Sequence, residues 1–386
     1  MTILDPVALA QALIRCPSVT PKDAGALDVL EGALKPLGFS CHRLVFEEPG
    51  AEEVGNLYAR IGSGAPLFLF AGHTDVVPPG GRWKSNPFGA EIRNGVLYGR
   101  GATDMKSAIA AFAAAAACVL AKGTVKGSIA LLITGDEEGD AVNGTEKVLA
   151  WMKDRGERID HCIVGEPSSV AAVGDTIKIG RRGSMNVRIT VKGVQGHAAY
   201  PARARNPIPA LAMLVTRLAD HKLDSGTAHF EPSTLSFSSI DVGNPATNVI
   251  PGEARAQFNI RFNDLHSPET LIGFIEDEAN IVAEQTGCEI TSEQSVSGTA
   301  FVTKPGKFTD LVVGAVESVT GRRPDFSTGG GTSDARFIQD FCPVAELGLP
   351  NATMHRTDEC VAVADIAKLT DIYVALLDAY FKNPPQ

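Results

Sequence analysis

Residues 67–75 read LFLFAGHTD, five apolar side chains followed at once by glycine, histidine, threonine and aspartate. An unbroken apolar run of this length describes a strand covered on both faces, as parallel and mixed sheets require. Two more runs, 162–165 and 129–134, repeat the plan and lead into acids, GEP at 165–167 and GDEE at 135–138. Between them lie helical stretches such as the alanine-rich segment 106–122. Short buried strands alternating with helices predict an α/β fold whose mixed sheet carries helices on both faces, with ligands gathered at the carboxyl ends of its strands.

At 386 residues the chain exceeds what one hydrophobic core usually spans, so two domains are expected. The pattern changes at Ser184, where Met185, Val187, Ile189 and Val191 alternate with polar residues, the mark of a strand with one wet face. A helix at 207–220, strands near 234–240 and 255–262, a helix at 268–285 and a strand from Cys288 follow. That order, βαββαβ, is the ferredoxin-like split unit. Helical segments at 307–319 and 364–381 then resume the earlier style. The expected organisation is an α/β domain formed by residues 1–180 and 295–386, interrupted by an inserted ferredoxin-like domain at 181–294.

A formal net charge of -10 argues against nucleic acid or an anionic membrane surface as partner. The first residues lack a basic start and a small-residue cleavage site, so a cytoplasmic protein is expected. The apolar run 108–121 is shorter than the ~20 residues of a membrane span. Seven cysteines show no CxxC pair and read as reduced thiols. A metal would therefore be held by histidine and carboxylate, a donor set suited to zinc, cobalt or manganese.

Several residues supply such donors. His73 and Asp75 lie two apart at a strand end and point the same way, and a carboxylate beside a ligating histidine orients the ring. Asp104, in GRGATDMK at 99–106, reads locally as the N-cap of the alanine helix. Asp136, Glu137 and Glu138 alone read as a solvated acidic turn. Glu166 follows the third apolar run, and His355 stands late in NATMH. Together, His73, Asp104, Glu137 with Glu138, and Glu166 are expected at successive strand ends, with His355 completing the set. Two divalent cations carry +4, which three carboxylates (Asp104, Glu138, Glu166) and one hydroxide balance. Such a pair suits hydrolysis.

The segments GHTDVVPPG, YGRGATDMK, GDEEGDAVNGT, GEPS, RRGSMN, QGHAAYP, PATNVIPGE, GGGTSDARF and NATMH resemble, nearly end to end, the aminoacylase and carboxypeptidase clan of dizinc hydrolases, and within it the desuccinylase branch. The resemblance implies two Zn(2+) per subunit, which Co(2+) can replace. His73 and Glu166 would bind one ion, Glu138 and His355 the other, with Asp104 bridging. Glu137 would be the general base and Asp75 would hold His73. The inserted domain would form a homodimer and bring His197 to the partner's metal centre to stabilise an oxyanion. The implied substrate is a small N-succinylated diamino diacid of lysine and cell-wall precursor synthesis, clamped by Arg181 and Arg261, with Tyr200, Asn248, Thr328 and Gly330 adding contacts. Two alternatives stay open: a sister deacylase acting on acetylated or other acyl amino acids, and a metal-binding dimeric scaffold without catalysis.

Overall fold

The expected apolar runs form the centre of an eight-stranded mixed sheet in the computed structural model, which describes residues 4–123 and 125–385. Its strands include β1 (Ser40–Glu48), β2 (Ala51–Gly62) and β3 (Leu67–His73). After the short pair β4 (Glu91–Arg93) and β5 (Val96–Tyr98), it continues with β6 (Ser128–Thr134), β7 (His161–Val164) and β8 (Thr176–Lys178). The spatial order is β1, β2, β6, β3, β7, Val344–Glu346, β8, Asp325–Ser327. β3 lies parallel to both β6 and β7, and Val344–Glu346 is parallel to β7, so their carboxyl ends share one edge. β1 and β2 extend the sheet antiparallel.

Every residue of β3, β6 and β7 is buried, which explains the absence of alternation in their sequences. The alanine helix, Lys106–Lys122, is buried at each position from Lys106 to Ala117 and packs against the helices Pro6–Ile14 and Val363–Lys382. Small side chains let these helices approach, and Phe112 fills the space left, its ring 4.3 Å from that of Phe70. Burial of a large side chain such as Phe112 contributes about 1.5–3 kcal/mol, and of each alanine methyl under about 1 kcal/mol.

Two units are distinguished, Met1–Gly180 with Thr303–Ser327 and Ser333–Gln386, and Arg181–Val302 with Thr328–Thr332. The expected boundary at residue 294 falls inside the strand Glu289–Gly298, which pairs with Gly183–Lys192, so the second unit extends beyond it. This unit has the order βαββαβ: Gly183–Lys192, Pro207–Asp220, Thr234–Asp241, Glu253–Phe262, Pro268–Thr286 and Glu289–Gly298. Its four strands form an antiparallel sheet, with Gly183–Lys192 and Glu253–Phe262 at the centre. Met185, Val187, Ile189 and Val191 turn inward onto Leu211, Leu214, Leu271 and Ile275. Asn206 caps the first helix, and a Ser267–Thr270 capping box starts the second. Among the described residues no helix is long and apolar enough to cross a membrane, and all seven cysteines are free.

Candidate metal centre

The shared edge of β3, β6 and β7 sets out most of the expected donors. His73 is the last residue of β3, Glu137 and Glu138 follow β6, and Glu166 follows β7. Asp104 arrives differently. It lies in the loop between β5, which belongs to a separate three-stranded sheet, and the alanine helix. The local N-cap reading of Asp104 is overturned: Met105 holds the cap position, with no side-chain cap bond, and the Asp104 carboxylate turns to the two histidines. Asp104 Oδ1 is 3.2 Å from His73 Nε2, and Oδ2 is 3.2 Å from His355 Nε2. One carboxylate thus faces a histidine with each oxygen. Glu166 Oε1 stands 3.5 Å from His73 Nε2, and Glu138 Oε1 stands 2.8 Å from His355 Nε2.

Two glycines let these groups converge. A Cβ on Gly72 would lie 2.5 Å from Met105 Cε, and one on Gly165 would lie 2.6 Å from the same atom and 2.5 Å from Phe70 Cζ. Met105 follows Asp104, while the two glycines precede His73 and Glu166. The bare backbone at both positions admits Met105 and brings three donors to one floor.

Asp75 contacts both His73 and the acidic turn. The His73 Nδ1 lies 2.9 Å from the Asp75 carbonyl oxygen and 3.5 Å from its carboxylate. That carboxylate accepts the backbone N–H of Glu137 at 3.3 Å and of Glu138 at 3.0 Å, so it also fixes the acidic turn. The turn is not a solvated loop, since the Glu137 and Glu138 side chains are only 12% and 9% exposed.

The electrostatics are those of a site rich in acid. Burial, then the charge of Glu166, pushes the Glu137 carboxyl well above its usual range. Burial and the charge of Asp104 push Glu166 up to about 7. Burial opposes charge on His73, but the carboxylates of Asp104, Asp75 and Glu166 around it outweigh burial and raise the imidazole. Bonds to Asp104 and Glu138 raise His355 to about 10. Burial would raise Asp104, yet the two histidines hold it low.

Divalent cations fit this arrangement. Glu166 Oε1 is buried with no hydrogen-bond partner, an expensive condition unless a cation takes the lone pair. The ligand atoms of His73, Asp104 and Glu138, and likewise of His73, Glu137 and Glu166, lie within 4.8 Å of one another. Imidazole and carboxylate donors without thiolate suit zinc, cobalt or manganese.

Sequence reasoning missed two buried acids beside this floor. Asp334, whose carboxylate takes the Thr145 hydroxyl at 2.6 Å, is raised to about 6 by burial and adds charge near Glu137. Glu346, bonded by the Ser333 hydroxyl at 2.5 Å, raises Glu166. Glu346 ends a strand of the sheet, and the run VAE followed by LG carried the same apolar-then-acid signal as the others.

The remaining expected residues belong to the second unit. His197 pairs with Val249 on a short ladder, Ala198 N–H donates to the Asn248 carbonyl at 2.9 Å, and the exposed Tyr200 ring lies 5.7 Å from that of His197. Arg181 donates to the Gly331 carbonyl at 2.8 Å, beside the exposed Gly330, and Thr328 Oγ1 donates to the His229 carbonyl at 2.7 Å. Arg261 lies opposite Ser184, its Nη1 buried and without a hydrogen-bond partner. Burial and the charge of Arg182 lower its pKa.

Residues 69–379 match the model of peptidase family M20/M25/M40. A succinyl-diaminopimelate desuccinylase of Rhodospirillum centenum is 59% identical over 380 residues, covering 98% of this chain and 97% of its own. Among solved structures, the aminopeptidase PepT of Bacillus cereus superposes with a TM-score of 0.78 at 22% identity, covering 98% of this chain and 99% of its own. The YXEP protein of Bacillus subtilis, described as a dinuclear metal binding peptidase from the M20 family, superposes with a TM-score of 0.71 at 15% identity, covering 97% and 96%.

Proposed function

This chain belongs to peptidase family M20/M25/M40, and from that premise we propose that it hydrolyses N-succinyl-LL-2,6-diaminopimelate to succinate and LL-2,6-diaminopimelate. The observation that carries this reading is the 59% identity, over nearly the full length of both chains, to a succinyl-diaminopimelate desuccinylase. The donor set on the sheet edge supports it by supplying what amide hydrolysis needs.

His73 and Glu166 would hold one zinc ion, His355 and Glu138 the other, and Asp104 would give one oxygen to each. Bound ions of this kind supply Lewis-acid polarisation of the scissile carbonyl and a water that ionises near neutral pH. Glu137 would accept the proton of the attacking water and return it to the departing amine, and its elevated affinity for a proton suits both steps. Asp75 fixes the Glu137–Glu138 turn through two backbone N–H groups, so the base is preoriented. Cobalt would replace zinc without altering these roles.

In the second unit Arg261 and Arg181 would take substrate carboxylates, with Tyr200, Asn248, Thr328 and Gly330 adding contacts. The unpartnered Nη1 of Arg261 supports a carboxylate there, because guanidinium groups pair bidentately with such anions. The second unit would join two copies as a homodimer and supply His197 to the partner's reaction. With a biosynthetic role of this kind the protein would work in the cytoplasm.

The reading is tested with purified, zinc-loaded protein offered N-succinyl-LL-2,6-diaminopimelate, N-acetylornithine and simple acyl amino acids at equal concentration. Succinate release should exceed turnover of the others by at least ~100-fold in kcat/KM. A preference for the acetyl substrate would move the protein to a sister deacylase.

A further inference from the structure

Glu359 is fully buried and Arg100 is 2% exposed, and none of the proposed reaction steps uses either. Their side chains meet at 2.6 Å through Nη1 and Oε2. The other oxygen, Oε1, accepts the backbone N–H of Thr103 at 2.8 Å and of Asp104 at 3.1 Å. Arg100 Nη2 reaches the carbonyls of Pro79 and His355 at 3.4 Å and of Pro78 at 3.5 Å, and the guanidinium carbon lies over the Trp83 ring, 5.4 Å from its centroid. One ion pair therefore touches the loop after His73 and Asp75, the loop bearing Asp104 and the loop bearing His355.

The surroundings fix the pair in turn. Gly99 N–H donates to the Glu359 carbonyl at 2.9 Å, and β5 pairs with Cys360–Ala362. The hydroxyls of Thr103 and Thr353 both donate to the Cys360 carbonyl, at 3.0 and 2.8 Å. A buried ion pair is a poor source of stability compared with apolar side chains of equal volume, so what it holds in place matters more than its own attraction. His355 needs such support. Its side chain is 43% exposed, and its backbone takes the left-handed φ of 61° that non-glycine residues avoid.

We infer that Arg100 and Glu359 are positioning residues for the metal centre. They grip main-chain atoms of Asp104 and His355 and so set the separation of these two donors, which governs binding of the ion in the His355 half. The inference rests on the assignment of the metal centre above. Outer partners of this kind typically change metal affinity by about 10–100-fold.

The test uses full-length protein freed of metal by chelation, as wild type, Glu359→Gln, Arg100→Lys and, for reference, His355→Ala. Gln keeps an oxygen for the two N–H groups but sets an amide against Arg100. Lys keeps the charge but cannot span the three carbonyls. Each protein is titrated with Co(2+), following visible absorption and calorimetric stoichiometry, and the melting temperature of the metal-free form is recorded. Wild type should bind two equivalents. In Glu359→Gln and Arg100→Lys one equivalent should bind within about threefold of wild type while the other weakens about 10–100-fold, the same equivalent that His355→Ala loses. Excess metal should restore kcat, with KM unchanged.

Two unaltered equivalents in either folded variant would overturn the inference. So would equal weakening of both equivalents with a collapsed melting temperature in Arg100→Lys, the behaviour of a purely structural pair. A wild-type protein that takes up fewer than two ions would remove the metal-centre premise, and the inference with it, before any variant is compared.

Discussion

Glu166 and Asp224 are both acids with little exposed side chain, 9% and 5%, yet they live under opposite conditions. Asp224, in the second unit, accepts from Gly226 N at 2.7 Å, Ser233 N at 3.1 Å, Asn263 Nδ2 at 2.8 Å and His266 Nε2 at 3.1 Å. Burial works against its charge, but these donors, Ser233 foremost, hold it down at about 2. Glu166 Oε1 has no hydrogen-bond partner and faces the His73 Nε2, 3.5 Å away, and burial with the Asp104 charge pushes the carboxyl to about 7. A carboxylate saturated with donors organises its own loop, whereas one starved of them is costly to keep buried and charged, a cost that a cation would relieve.

The largest expected effect breaks catalysis while leaving the starved acids in place. Glu137→Gln should lower kcat by about 10²–10⁴-fold with two metal ions retained, measured by succinate release and elemental analysis. Loss of an ion in this variant would make Glu137 a ligand rather than the base.

Metal removal addresses the contrast itself. A ligand that binds only the folded state at 1,000 times its Kd adds about 4 kcal/mol, so chelation should lower the melting temperature by several degrees. The pH dependence has a definite sign. The folded pKa of Glu166 is raised from 4.5 to about 7 and that of His355 from 6.5 to about 10, so the metal-free folded protein binds more protons than the unfolded chain. Its stability falls as pH rises from about 5 to 10. Metal, which displaces those protons, should stabilise more at pH 8 than at pH 6. Calorimetric scans with and without chelator at the two pH values decide this, and a gap that narrows with pH would contradict it.

Gly165→Ala is the next step down. Its Cβ would meet the Phe70 ring and Met105, costing about 1–3 kcal/mol in denaturant unfolding. Gly72→Ala meets chiefly the flexible end of Met105 and should cost less.

The smallest effect belongs to the saturated acid. Asp224→Asn should cost about 1–2 kcal/mol at neutral pH. The folded pKa of Asp224 is depressed from 3.8 to about 2, so the stability it contributes is present above pH 4 and is lost as pH falls through 2. The variant and wild type should therefore converge in acid, and a constant difference down to pH 2 would deny that the charge matters.

Legibility in the sequence followed the same physics. β3, β6 and β7 were readable because complete burial writes an unbroken apolar run, and the acids after them stood out against it. The second unit was readable from the alternation of Met185, Val187, Ile189 and Val191. Asp104 joins the donor set only when the segments are taken together, because its loop serves a different sheet and enters a helix, where a local rule suggests a cap. His355 sits in a loop without periodicity. The Arg100–Glu359 pair joins residues 259 apart with no local pattern at either end, so only the folded chain displays it.

The most direct test titrates chelated protein with zinc while following succinate release from N-succinyl-LL-2,6-diaminopimelate. Release should be negligible without metal and should rise to completion by two equivalents per chain. Full activity in the chelated protein, or no release after two equivalents have bound, would contradict the proposed function.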